Sequence, residues 1–192
     1  MIAHQLKTAF DKYYEAPLEV WERFLSLCEH VEYKKNEVLK RSNEVAKEGY
    51  FILEGSCGMF AWKNNHSVCT DLFLENSFFA DDSSLLSGKP SPLEIVALEK
   101  SKCLRMSKAH MDELKATPIG QKLFLIGEEN SNADKRDQQI EIMTLSAEER
   151  YQNLMLTQPE LLRRVHQKHI ASYLGITTQS LSRIRKKNNP TD

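Results

Sequence analysis

Between Gln167 and Lys187 the chain reads QKHIASYLGITTQSLSRIRKK, and few backbones can satisfy that spacing. Ile170, Ala171 and Leu174 fall on one side of a first helix, Leu181 and Ile184 on one side of a second, with Ile176 between them. Gly175 stands just past the first helix, where a left-handed residue is needed and glycine adopts it without a side-chain penalty. Thr177 follows at a position from which its hydroxyl can accept a free backbone amide of the second helix. Ala171 is small where two crossing helices must approach closely. The pattern predicts a helix-turn-helix. Its second helix turns Thr178, Gln179, Ser182 and Arg183 away from the apolar side. In a DNA major groove an Arg can hold guanine and a Gln adenine, each through two bonds, so Gln179 and Arg183 are the leading base-reading candidates, with Thr178 and Ser182 beside them. Gln167, Lys168, Thr177, Lys186 and Lys187 are placed to meet phosphates, which position a protein without reading sequence.

Charge supports a polyanionic partner for this end. Residues 161–191 hold seven basic side chains and no Asp or Glu, whereas the whole 192-residue chain carries a net charge of −1. The excess of acid therefore lies entirely in the preceding residues. A chain polarised in this way meets double-stranded DNA with one end only.

Upstream the character differs. Residues 17–28 (PLEVWERFLSLC) have helical periodicity through Val20, Phe24 and Leu27. From His30 to Met106 short runs rich in Val, Ile, Phe and Tyr alternate with turn signals. Strands are expected at 31–34, 49–53, 58–62, 67–74, 93–98 and 102–106, which implies an antiparallel sandwich or jelly roll. Thr117-Pro118 then opens a long helix, Thr as N-cap and Pro at the first helical position. Along it Ile119, Leu123, Ile126, Asn130, Ala133, Asp137 and Ile140 recur at steps of four and three, a heptad seam along which two copies can pair. Asn130 and Asp137 weaken the seam, and the same stripe could instead pack on its own β domain. Ser146-Ala-Glu-Glu149 reads as a capping box opening the next helix, which Thr157-Gln-Pro159 ends. The fold class expected is α+β, with a β-roll sensor over 1–116, a dimerisation helix over 117–144 and a DNA-binding unit over 145–192.

A β-rich N-terminal half, a heptad helix and a C-terminal helix-turn-helix together resemble the Crp/Fnr family, most specifically in SAEERYQNLM (146–155) and in 167–187. The resemblance implies a cyclic-nucleotide-binding jelly roll, a homodimer through the long helix, a palindromic operator, and RNA polymerase as a further partner. This chain departs from the family pattern in two respects. Where nucleotide-binding members carry Gly-Glu stand Ala80 and Asp81, and Ser91-Pro92 stands where they carry an Arg that grips the cyclic phosphate. With that guanidinium gone and Asp81 and Asp82 nearby, cyclic AMP is not expected to bind. Either another effector or none is expected in a pocket drawn from Phe78, Phe79, Asp81, Ser91 and Leu93. The few residues after the recognition helix are not expected to form the β-hairpin wing of many relatives. An alternative is a cyclic-nucleotide or other small-ligand sensory module that acts through protein partners.

The remaining signals point away from catalysis and metals. Cys28, Cys57, Cys69 and Cys103 have neither zinc-ligand nor C-x-x-C spacing, so reduced structural thiols and no metal are expected. Glu75 with Asp81-Asp82 reads as a solvated loop and not as a carboxylate pair, since no nucleophile or phosphate loop accompanies it. His166 and His169 read as surface or phosphate-contacting residues. Trp21, Phe78 and Phe79 read as core or pocket lining. No apolar run reaches the roughly 20 residues a bilayer requires, and no signal-peptide core opens the sequence, so a cytoplasmic, non-enzymatic protein is expected.

Overall fold

In the computed structural model, which describes residues 1–63 and 66–188, two helices lead into a β sandwich that is followed by six more helices. Helices α1 (Ile2–Asp11) and α2 (Leu18–Ser26) precede β1 (Glu29–Tyr33), β2 (Val38–Lys40), β3 (Glu48–Glu54), β4 (Cys57–Lys63), β5 (His66–Phe73) and β6 (Phe78–Ala80). A short α3 (Asp82–Ser87) separates these from β7 (Leu93–Ala97) and β8 (Ser101–Ser107). Then come α4 (Lys108–Lys115), α5 (Pro118–Thr144), α6 (Ala147–Thr157), α7 (Pro159–Arg164), α8 (Gln167–Tyr173) and α9 (Thr178–Asn188).

The strands form two four-stranded antiparallel sheets, β1-β8-β3-β6 and β2-β7-β4-β5. Alternation along the strands decides where each side chain goes. Tyr50, Ile52, Phe79 and Cys103 from one sheet meet Cys57, Met59, Ile95 and Ala97 from the other between the layers. The residues between them leave outward. Phe51, Phe78 and Leu104 form a second core with α1, α2 and the start of α5. On the far side Phe60, Cys69 and Leu72 form a third core with α6 to α9. The jelly roll is thus clothed on both faces, by the N-terminal helices on one and by the helix-turn-helix on the other.

The local start signals act as the sequence indicates. The Thr117 hydroxyl accepts the Gly120 amide at 3.1 Å, with Pro118 opening α5. Ser146 and Glu149 exchange both bonds of a capping box, at 3.3 and 2.8 Å. Pro159 begins α7 where α6 ends. Strands β2 and β6 were not anticipated because three residues are too few to display alternation, and α1 begins on Met1 without a side-chain cap. Helix α3 is set by Asp81, whose carboxylate accepts the Ser84 amide at 3.2 Å. All four cysteines are unpaired thiols, three of them buried.

The first part of the heptad stripe of α5 is covered by its own chain. Leu123 is buried among Leu6, Phe10, Trp21, Phe51 and Leu104 of its own chain, and Ile126 packs on the same cluster. Asn130 turns back to donate to the Ile126 carbonyl at 2.7 Å. A seven-residue repeat records an apolar stripe but not which surface covers it. Farther along, Ala133, Asp137 and Ile140 are exposed, as are Leu125 and Met143, which lie off the stripe.

Candidate nucleic-acid interface and effector pocket

Helix α8 is capped by His166, whose Nδ1 accepts the Lys168 amide at 3.2 Å. It ends at Leu174, and Gly175 follows with φ of +68°. The reversed chain is closed by the Ile176 amide donating to the Ala171 carbonyl at 2.9 Å, and Thr177 then accepts the Ser180 amide at 3.1 Å. Ile170, Ala171, Leu174 and Leu181 are buried with Tyr151, Leu154, Leu161 and Val165. Burial of those positions leaves Thr178, Gln179, Ser182, Arg183 and Lys186 exposed along one side of α9. Gln167, Lys168, Thr177 and Lys187 are exposed as well.

Arg150, which the sequence reading passed over, fastens this unit. Its Nε and Nη2 donate to the Leu174 carbonyl at 3.1 and 3.0 Å and its Nη1 to Leu145 at 2.5 Å, so one guanidinium satisfies the carbonyl ends of two helices. The signal was present as the Arg closing SAEER, but its partner Leu174 lies 24 residues on.

The basic surplus is smaller at the surface than in the sequence. Arg164 is clamped by Glu75 at 2.7 Å and by Glu99 at 2.6 Å, Arg163 pairs with Glu160 at 2.5 Å, and Lys187 pairs with Glu148 at 2.7 Å. Lys168, Arg183, Arg185 and Lys186 have no ion-pair partner among the described residues. The Arg164 hydrogen bonds hold the Glu75 carboxyl down to about 2, against an ordinary 4.5. The same pairing raises Arg164. Glu75 therefore does not belong to a solvated loop; it ties α7 to the roll.

His169 is half-buried. Its ring lies 5.0 Å from that of Phe60, edge to face, while Ser172 accepts the Cys69 amide at 2.8 Å. Burial first, then the charges of Lys168 and His166, bring His169 down from 6.5 to about 4. The first helix of the motif thus docks on β4 and β5, and the second is left free.

The expected effector residues separate into three places. Phe79 stacks between Tyr50 and Phe73, with ring centroids 5.3 and 4.7 Å away. Phe78, next to it, leaves the opposite face and packs on Phe51, Phe24 and Phe10. Both line a cavity of about 690 Å³ that wraps the edge strand β6 and runs beside α5. Asp81, Ser91 and Leu93 meet elsewhere, around Lys40. The Lys40 ammonium lies 2.8 Å from the Asp81 carboxylate and donates to the Ser91 hydroxyl at 2.9 Å and to the Leu93 carbonyl at 2.8 Å. Ser91 in turn donates to Asp81. Asp81 is therefore buried and compensated, which corrects its reading as an exposed negative charge.

A two-layer roll, a long connecting helix and a helix-turn-helix docked against the roll make up the described residues. Residues 30–117 match the family model for the cyclic nucleotide-binding domain. Its structural neighbours include regulators of the Crp/Fnr type. FixK2 of Bradyrhizobium japonicum superposes with a TM-score of 0.72 at 18% identity, covering 85% of each chain. CLP, the c-di-GMP responsive global regulator of Xanthomonas campestris, gives 0.69 at 17% identity over 91% of this chain and 92% of its own. The Thermus thermophilus catabolite activator protein gives 0.58 at 19% identity over 93% and 85%. At such identities these likenesses establish the fold. No curated protein matches the sequence. No helix among the described residues is long and apolar enough to cross a membrane.

Proposed function

We propose that this protein is a transcription regulator that binds a two-fold-symmetric DNA operator as a homodimer and is not controlled by cyclic AMP. The observation that carries the reading is the exposed side of α9, where Thr178, Gln179, Ser182 and Arg183 stand free of the core that Leu181 anchors. Lys168 and Lys186, unmatched by acid among the described residues, flank that side and serve phosphates, with Gln167 and Thr177 as uncharged donors. Lys187 reaches a phosphate only by leaving Glu148. The exposed Ala133, Ile140, Leu125 and Met143 supply the surface for a second copy.

The cyclic phosphate finds no fitting donor set. Lys40 is the cation nearest Asp81 and Ser91, and its bonds are spent on those two residues and Leu93. An entering phosphate would have to displace a buried carboxylate from its counter-ion.

Fluorescence anisotropy with a selected operator tests the reading. Arg183→Ala should weaken binding by about 1–3 kcal/mol, with relaxed preference at one base pair per half-site. Lys168→Ala should weaken all sequences alike and lower the slope of log K against log salt by roughly 1. A shallow salt slope together with an unchanged operator preference in Arg183→Ala would favour a protein partner for the helix-turn-helix.

A further inference from the structure

We infer that the cavity beside α5 binds an uncharged or cationic amphiphile, an apolar body carrying an amide or amine, in place of an anionic nucleotide. The cavity's roughly 690 Å³ lies within the range typical of small-molecule sites. Most of its wall is apolar: the rings of Phe73, Phe79 and Phe124 and the side chains of Leu85 and Met111. A polar group on that wall lacks a protein partner. Asp82, at the start of α3, has neither a hydrogen-bond nor an ion-pair partner among the described residues, and burial raises its carboxyl. An N–H from the ligand would satisfy that carboxylate.

Charge on the wall selects the same class. Of its cations, Arg23 pairs with Glu113, Lys108 with Asp112 and Lys115 with Glu128. Lys135 remains, near Asp82, while Asp82, Asp71 and Glu19 on the same wall have no ion-pair partner among the described residues. The unmatched surplus is negative, so an anionic head group is disfavoured throughout.

Beyond Leu123, the cavity's lining from α5 comes from Phe124, Gly127, Glu128, Ser131 and Lys135, which share one face of the helix. At 3.6 residues per turn, the exposed Leu125, Arg136 and Met143 lie about a third of a turn away, where a second copy would pack. The inference does not depend on DNA binding.

The test uses the full-length protein and N-phenyl-1-naphthylamine, a neutral apolar amine whose fluorescence rises in apolar sites and which accepts energy from tryptophan. The probe should bind once per chain, with energy transfer from Trp21 that persists in Trp62→Phe and disappears in Trp21→Phe. Decanamide and decylammonium should displace it at concentrations roughly tenfold or more below that needed for decanoate, and cyclic AMP should not displace it. Ser131→Trp, which fills the cavity from a half-exposed helical position, should abolish binding while the circular dichroism stays unchanged. Asp82→Asn should keep probe binding and erase the preference over decanoate. Absence of saturable probe binding, equal displacement by decanoate, or displacement by cyclic AMP would each overturn the inference.

Discussion

Replacing Lys40 by Met removes the ammonium at the centre of the Asp81–Ser91 cluster while nearly preserving the length of the side chain. Lys40 and Asp81 have side chains only 7% and 0% exposed, so solvent cannot take over the lost partner. Removing one member of a buried ion pair typically costs about 3–5 kcal/mol, because the survivor is left charged and desolvated. Here the Ser91 hydroxyl and the Ser84 amide still reach the carboxylate, which places the expected loss near the lower end, about 3 kcal/mol. That is a large share of the roughly 5–15 kcal/mol by which domains are usually stable. Adding Asp81→Asn removes the orphaned charge, keeps an oxygen to cap α3, and should return all but about 1 kcal/mol. Urea unfolding followed by circular dichroism, on the wild type, both single variants and the double variant, gives the coupling directly. If Lys40→Met unfolds within about 0.5 kcal/mol of wild type and the double variant is the least stable, the cluster does not hold the loop as argued.

Further outcomes follow from the same geometry. His169 has its folded value depressed from 6.5 to about 4, so its neutral form stabilises docking above 6.5, and that contribution is lost as pH falls toward 4. The protection factor of the Cys69 amide, bonded to Ser172, with the intrinsic pH dependence of exchange divided out, should fall across that window, and a constant protection factor would contradict it. Glu75 behaves alike at lower pH: its tie to Arg164 stabilises the docked α7 above about 4.5 and is lost as pH falls toward 2, so Glu75→Gln should shift unfolding at neutral pH more than at pH 3. Gly175→Ala should cost only the backbone penalty of about 1–2 kcal/mol, because no heavy atom lies within 4 Å of the added carbon. Gly55→Ala should cost more, since φ is +100° and the carbon would meet Lys100 O at 2.7 Å; equal losses in thermal unfolding would refute that comparison.

What the sequence makes legible is local. Gly175, Thr177 and Leu181 specify the reversal and the second helix within a few residues of one another, and Thr117-Pro118 and Ser146–Glu149 do the same for their helices. The helix-turn-helix and α5 are therefore readable without tertiary information. The remainder depends on partners distant in the chain. Arg164 looks like one more cation for DNA until Glu75, 89 positions away, is seen to hold it. Lys40 carries no signal beside Val38 and Leu39, and its role appears only when Ser91, 51 positions on, closes around it. Phe78 and Phe79 look equivalent in a sequence, yet on a three-residue strand they serve different cores. The seam of α5 shows the same limit: spacing marks Leu123 and Ile126 as apolar, and only the N-terminal helices reveal that they are already covered.

The central claim, that α9 reads an operator for a dimer without cyclic AMP, is tested most directly by selecting bound sequences from a random duplex pool with purified protein at one near-physiological salt concentration. The account predicts enrichment of a two-fold-symmetric site whose half-sites are centred roughly 34 Å apart, unchanged by cyclic AMP and lost in the Gln179→Ala, Arg183→Ala double variant. An unenriched pool from a folded dimer, or the same site selected by the double variant, would contradict it.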